Sequence, residues 1–398
     1  MEQLPQIDVV SSAIARLAER LTSVAAESCI TGRACGRVLS DPLLADRDSP
    51  AMDVSAMDGY AIRLTDLRCA PLAVAAIAGA GSPPRSLSVG EAIRIFTGAV
   101  VPPEADCIIR REDTLESPGQ VKVAVPVESL QTGQNIRRRG ENSRAGDVVL
   151  PRGTVLNAPA MGAVATFAPL QLTVRRRVRV VVLNTGDELA GIGADVEPWQ
   201  IRDSNGPLLE TWLRQLPWVQ FVCRKHVGDT LDSVRSAIEA NLSQADAILL
   251  TGGVSMGDTD FVPEAIAKLG GEVAFHRLPI RPGRPVLGAS LDGKLLLGLP
   301  GNPVSVAVTS RVIGLPLLRK LAGIAPLEEQ LERCALAGSD DKTLSLVWYR
   351  LVKIGKDSAV QLIDSQGSGD LVSLAVSNGF VEIPSGASGC GPWRVRWW

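Results

Sequence analysis

From residue 178 to about residue 321 the chain alternates short runs of Val, Leu and Ile with amphipathic helical segments, and this alternation leaves few folds open. Strands are predicted over residues 178–183, 219–227, 247–250, 286–289 and 295–299, and helices over 207–216, 231–242, 263–269 and from 303 to about 321. Strands without polar alternation need cover on both faces, so a parallel sheet between helical layers is the expectation. Asp292-Gly293 joins the last two strands as a hairpin turn. Asn302 and Pro303 suit the cap and first position of the closing helix. Asp229, just ahead of Leu231, is expected to cap the second helix.

The remainder is of another kind. Residues 9–21 have helical spacing after Ser11 and Ser12, either of which could cap them. Residues 50–125 contain short apolar runs broken by Gly and Pro, the pattern of a small β domain, and short strands return after Pro326. A chain of 398 residues with 45% hydrophobic content fills more than one core. The near balance of 41 Lys and Arg against 43 Asp and Glu gives no field to hold a polyanion, so no nucleic acid partner is expected. No basic leader or bilayer-length apolar stretch stands out, which makes no membrane and a cytoplasmic location the expectation. Seven scattered cysteines without a Cys-x-x-Cys pair and only two histidines leave the chemistry to acids, hydroxyls and arginines.

In open α/β sheets ligands bind beyond the carboxyl ends of the strands. Three loops occupy that place: Asn184-Thr185-Gly186-Asp187-Glu188, the stretch from Thr251-Gly252-Gly253-Val254-Ser255 to Asp260, and Pro300-Gly301-Asn302-Pro303-Val304-Ser305. Glycines allow close backbone approach, and exposed N–H groups favour phosphate. Asp187, Glu188, Asp203, Asp229, Asp258 and Asp260 gather in or near these loops, the hard oxygen donors that Mg²⁺ takes beside a phosphate. Arg277, Arg281 and Arg284 supply positive charge able to clamp an oxyanion. The absence of Walker A and G-x-G-x-x-G patterns argues against a P-loop nucleotidase or a dinucleotide enzyme. Gly253-Val254-Ser255-Met256-Gly257 does fit G-x-S-x-G, which makes Ser255, with His276 as base, a competing serine hydrolase reading.

Several segments resemble, in order, the motifs of the molybdopterin molybdotransferase family, which includes the E domain of gephyrin. They are Ser55-Ala56-Met57-Asp58-Gly59-Tyr60-Ala61, Thr97-Gly98-Ala99-Val100-Val101-Pro102, Glu112-Asp113-Thr114, Ile136-Arg137-Arg138-Arg139-Gly140-Glu141, Thr185-Gly186-Asp187-Glu188-Leu189, Asp203-Ser204-Asn205, Gly252-Gly253-Val254-Ser255 and Leu299-Pro300-Gly301-Asn302-Pro303-Val304-Ser305. The resemblance implies an α/β plus β, multidomain chain with a central doubly wound molybdopterin-binding-type α/β domain and smaller β-rich domains. It divides the sequence into a discontinuous N-terminal and linker domain at 1–48 and 140–176, a small β domain at 49–139, the α/β domain at 177–325 and a C-terminal β domain at 326–398.

The implied reaction inserts molybdate into adenylylated molybdopterin with release of AMP, dependent on Mg²⁺, in a homodimer whose partner subunit completes the cleft. Molybdoenzymes or other cofactor-assembly proteins are the implied partners. By resemblance, Asp58, Thr97, Glu188 and Asp260 carry catalysis, with Asp58 and Thr97 on the molybdate side. Asp187, Glu188 and Asp260 hold the metal, and Thr185, Gly186, Ser204, Asn205, Gly252, Gly253, Ser255, Arg277, Arg281, Arg284, Pro300, Asn302 and Ser305 join Asp187 in binding the ligand. The sequence departs from the family's pattern at Asn142 and Gly228, where acids are usual, and at Arg277, Arg281 and Arg284, where lysines are usual. The missing acids keep open a second reading, a diverged non-catalytic carrier or scaffold that binds molybdopterin. For the run Arg137 to Arg139, an interface stripe and an anion-steering patch are both open.

Overall fold

The computed structural model describes residues 6–69, 71–167, 169–255, 260–338 and 341–398. Two compact units emerge, one formed by residues 1–41, 152–161 and 170–398, the other by residues 42–151 and 162–169. Among the described residues no helix is long and apolar enough to cross a membrane.

The centre of the first unit is a six-stranded sheet in the order Val219–Val227, Val178–Thr185, Ala247–Thr251, Lys294–Leu299, Leu287–Leu291, Glu272–His276. The first four strands are parallel, as expected. Leu287–Leu291 runs antiparallel to both of its neighbours, as the expected hairpin requires, and Glu272–His276 therefore runs in the direction of the first four strands. The cause is local: Asp292 and Gly293 both have positive φ, so the chain reverses in a two-residue hairpin with no crossover helix. Alternate side chains of each central strand enter two different cores. Val178, Val180 and Val182 share one with Leu249, Leu295 and Leu297, while Val181 and Leu183 share the other with Ile248, Leu250 and Leu296. Burial on both faces explains why these strands are apolar without a break.

Two helix starts differ from expectation. The first helix spans Gln6–Glu19, so Ser11 and Ser12 lie inside it and cannot cap it. At the helix Leu231–Leu242 the cap is Thr230, whose hydroxyl accepts from the Ser233 amide at 3.2 Å, and not Asp229. Either oxygen was within sequence reach, but Asp229 is engaged elsewhere. The helix after Asn302 begins at Pro303 as expected and passes through a π-turn, Ser310–Gly314, before its last stretch, Leu315–Ala322. The same unit carries a three-stranded sheet of Ala26–Ile30, Gln171–Arg175 and Val38–Leu39, and a C-terminal sheet that takes in the strand Ile280–Arg281 beside Val347–Ile354.

The second unit is built on a six-stranded sheet ordered Cys107–Arg110, Gly59–Ile62, Glu91–Ile95, Leu72–Ala78, Gln120–Val123, Thr114–Ser117. Its arginine run is internally neutralised. Arg137 pairs with Glu141 and also donates to Asn142, Arg138 pairs with Asp53, and Arg139 with Asp48.

The other basic cluster, in the first unit, anchors the central sheet. Arg176 holds Asp246 with two bonds of 2.5 and 2.7 Å, and the Arg179 amide adds a third at 2.8 Å. Burial pushes the Asp246 pKa up, but the Arg176 and Arg179 hydrogen bonds outweigh it and the net shift is downward. Asp246→Ala would strand Arg176 half-buried without its partner and is expected to cost about 3 kcal/mol, read from urea unfolding. Because the folded pKa is depressed, this stabilisation is present above the ordinary carboxylate pKa and is lost as pH falls through the lower folded value. The stability difference between wild type and variant should therefore shrink at acid pH.

Candidate functional site

Parallel pairing sets the carboxyl ends of three strands side by side: Asn184 lies opposite Thr251, and Thr251 opposite Leu299. The loops that follow are stitched together there. Thr185 Oγ1 donates to the Thr251 carbonyl at 3.2 Å, the Gly252 amide donates to the Leu299 carbonyl at 3.2 Å, and Asn205 Nδ2 donates to the Gly301 carbonyl at 2.6 Å. Gly252 and Gly253 have positive φ, and a β-carbon on Gly252 would stand 2.7 Å from Thr185 Oγ1. Glycine is required by both the backbone and the space.

Polar groups here are left without protein partners. Asn184 Oδ1, Asn205 Oδ1 and Thr251 Oγ1 are buried and accept or donate no hydrogen bond. An unmet buried polar group costs about 1–3 kcal/mol, and these three lie in or beside the strand-end loops.

Gly186, at φ +142°, turns the chain out of its strand, and a β-carbon there would lie 2.7–2.9 Å from the Glu188 carboxylate. The carboxylate thus rests on the bare Gly186 backbone, and among the described residues no hydrogen bond holds it. Asp187 and Asp229 lock their loops together, each accepting from the other's amide at 3.1 Å. This reciprocal pair is what removes Asp229 from capping duty. His226 Nε2 and the Gly186 carbonyl, 2.7 Å apart, brace the same turn. Asp203 is occupied structurally, accepting from Asn184 Nδ2 at 3.1 Å and from the Gly206 amide at 2.9 Å.

Asp260 stands two residues before the helix Val262–Lys268, whose first amide returns to the Gly253 carbonyl at 3.1 Å. Asp258 lies outside the described residues. Ser204 precedes the helix Asn205–Arg214, and Pro300 and Ser305 are buried while Asn302 is exposed and donates to Ser368 Oγ at 2.8 Å. Arg277 follows the strand Glu272–His276 at this same edge, and the Leu278 amide ties it to Arg284 through a 3.0 Å bond to the Arg284 carbonyl. Arg281 leaves the edge for the C-terminal sheet, opposite Trp348, with its guanidinium 6.0 Å from the indole centroid.

His276 Nε2 is 2.8 Å from the Val254 carbonyl, which only a ring N–H can satisfy, so that nitrogen is spent as a donor and cannot be the base for Ser255.

Among the described residues no three His, Cys, Asp or Glu side chains converge to form a protein-only metal cage. Mg²⁺ does not require one, since it takes one or two carboxylates and completes its shell with water and substrate oxygens. Asp187 and Glu188, adjacent hard donors on a glycine cradle, fit that requirement.

In the second unit Asp58 and Thr97 do meet. Asp58 Oδ1 accepts from both the Thr97 amide and the Thr97 hydroxyl, each at 2.8 Å. The amide bond first, then the hydroxyl bond, hold the carboxyl below the usual Asp pKa, with Arg94 and Arg111 adding smaller attraction. Gly59 begins a strand, and a β-carbon there would stand 1.9 Å from the Ile109 carbonyl. Sequence reading missed the surroundings of Asp58, namely Tyr60, Arg94, Arg111 and Glu116, since only the folded sheet brings them together.

Comparisons with known proteins bear on the family of the chain. Residues 9–168 match the MoeA N-terminal region (domain I and II), and residues 181–320 match a probable molybdopterin binding domain. A Staphylococcus aureus molybdopterin molybdenumtransferase is 31% identical over 96% of this chain and 92% of its own length. A Nostoc protein of the same name is 33% identical over 88% of this chain and 83% of its own. The crystal structure of a molybdopterin biosynthesis MoeA protein from Pyrococcus horikoshii covers 100% of this chain and 99% of that one, with a TM-score of 0.75 at 25% identity. With a relative above 30% identity along almost the whole sequence, the chain belongs to the molybdopterin molybdenumtransferase family.

Proposed function

We propose that the chain is an enzyme of molybdenum cofactor biosynthesis that inserts molybdate into adenylylated molybdopterin with Mg²⁺-dependent release of AMP. The observation that carries the reading is the strand-end cradle, where glycine backbones, three unmet buried polar groups and the Asp187-Glu188 pair lie in or beside loops that are hydrogen-bonded to one another. A pyrophosphate is the ligand such a cradle suits: amides and helix starts meet its oxygens, and paired carboxylates need a cation before they tolerate it. Asp187 and Glu188 would hold Mg²⁺, with water and substrate oxygens completing its shell in place of the Asp260 carboxylate, and the ion would supply charge neutralisation at the phosphate oxygens.

The chain's own residues do the rest. Thr185, Gly186, Gly252, Gly253 and Asn205 set the walls, and Ser204, Ser255, Pro300, Asn302 and Ser305 line the ligand's phosphate side. Arg277 and Arg284 contribute positive charge able to clamp an oxyanion, while Arg281 lies in the C-terminal sheet. Asp58, with one oxygen pinned by Thr97, offers its other oxygen as a fixed acceptor on the molybdate side. A carboxyl held below its usual pKa is a poor proton carrier and a good stationary anion, so its task is to orient the reacting groups. The working form is taken as a cytoplasmic homodimer.

The test is AMP release from adenylylated molybdopterin by the purified chain. Release that requires both molybdate and Mg²⁺ is the expected result. Binding of the adenylate with no AMP under any combination of the two would overturn the reading.

A further inference from the structure

The carboxylate of Glu116 gathers more partners than any other group near Asp58. Its Oε1 accepts from Tyr60 Oη, Arg94 Nη1 and Arg111 Nε, all at 2.9 Å, and its Oε2 accepts from Arg111 Nη2 at 3.2 Å. Arg94 is fixed besides by stacking, 5.1 Å from the Tyr60 centroid and 5.5 Å from that of Phe96, the residue before Thr97. Arg111 is different. Its side chain is 59% exposed, and the bidentate grip of Glu116 is its restraint.

Two cations attract Asp58, Arg94 and after it Arg111, and of the two Arg94 is held by Glu116 and by the Tyr60 and Phe96 rings. The Arg111 amide donates to the Asp58 carbonyl at 3.1 Å, and both side chains line one open hollow of about 730 Å³ together with Glu112 and Glu116. Two opposite charges on adjacent, backbone-bonded residues collapse into contact unless one is held by a stronger partner. A two-point Arg–carboxylate fork is that stronger partner. Thr97 uses only Oδ1 of Asp58, so the oxygen at risk is the one the proposed reaction needs.

We infer that Glu116 is a positioning residue that holds Arg111 away from Asp58 and thereby keeps the free oxygen of Asp58 open to substrate. The inference rests on the role given to Asp58 above. Removing the Glu116 charge releases Arg111, which swings onto Asp58 and masks it. Removing Arg111 as well leaves nothing to swing.

This predicts rescue, which a merely structural residue does not give. Glu116→Gln is expected to lower kcat for AMP release by roughly tenfold or more, while Arg111→Gln stays near wild type and Glu116→Gln/Arg111→Gln recovers most of the loss. A second readout needs no substrate: in protein labelled at the Asp carboxyl carbon, the Asp58 resonance, assigned by its disappearance in Asp58→Asn, should titrate at lower pH in Glu116→Gln and return towards its original midpoint in the double variant. Unchanged activity in Glu116→Gln, or a double variant as impaired as the single one with no movement of the Asp58 midpoint, overturns the inference. If Asp58→Asn itself keeps full activity while the midpoint moves as described, the role of Asp58 falls and the control of Arg111 by Glu116 stands.

Discussion

Replacing Glu188 by Gln is expected to lower kcat for AMP release by at least about a hundredfold. The substitution keeps size and shape and removes one negative charge. Glu188 is exposed and no described residue hydrogen-bonds its carboxylate, so stability should stay within about 0.5 kcal/mol of wild type. Thermal unfolding checks the second point and separates loss of function from loss of fold. The concentration of Mg²⁺ needed for half-maximal rate should rise as well, because Asp187 would be left as the main donor on its loop. Gly186→Ala provides the complementary case. It retains the carboxylate but puts a β-carbon within 2.7–2.9 Å of it at a φ of +142°, so the carboxylate must move. Both variants should still bind adenylylated molybdopterin. Full turnover in Glu188→Gln would remove Glu188 from the site, and substrate binding without turnover in the unaltered chain would mark it as a carrier.

How far the sequence reveals this molecule depends on the range of the interactions that decide each feature. The central sheet was legible because both of its faces are buried, which forces uninterrupted apolar strands, and because Asp292-Gly293 is a local turn with its own chemistry. The strand-end loops were legible for a related reason. Where parallel strands end, glycines and polar residues are required by the topology, whatever the ligand. Asp229 was misread because Asp229 and Thr230 compete for one cap. The outcome was settled 42 residues away by Asp187. Nothing local to Gly59 announces that the Ile109 carbonyl will press on its α-carbon. The arginine run 137–139 left two roles open, and the fold shows each guanidinium paired with an acid, two of them from residues about ninety positions earlier. Tyr60, Arg94, Arg111 and Glu116 escaped notice because their convergence is a product of strand order in the sheet.

Asp58→Asn is expected to reduce kcat/KM for AMP release by about 10²–10³-fold, with the larger part in kcat, while the thermal midpoint changes little. The amide can still accept from Thr97 through its carbonyl, so the loop geometry survives; what is lost is the charge, and with it the second carboxylate oxygen. Thr97→Ala offers a graded version. It deletes the hydroxyl bond and spares the amide bond, so Asp58 keeps one of its two 2.8 Å contacts. A loss of roughly tenfold fits the weakening of one charge-assisted hydrogen bond. The sign of the pH effect follows from the cause of the shift. The Thr97 amide and then its hydroxyl draw the Asp58 pKa down, so deleting the hydroxyl lets it rise towards the ordinary value. Protonation then sets in at higher pH, and the acid limb of the rate profile should move upward in Thr97→Ala relative to wild type. A Thr97→Ser variant, which restores the oxygen, should bring the limb back. An acid limb that stays in place in all three proteins would mean that Asp58 does not act as an ionised group in the reaction.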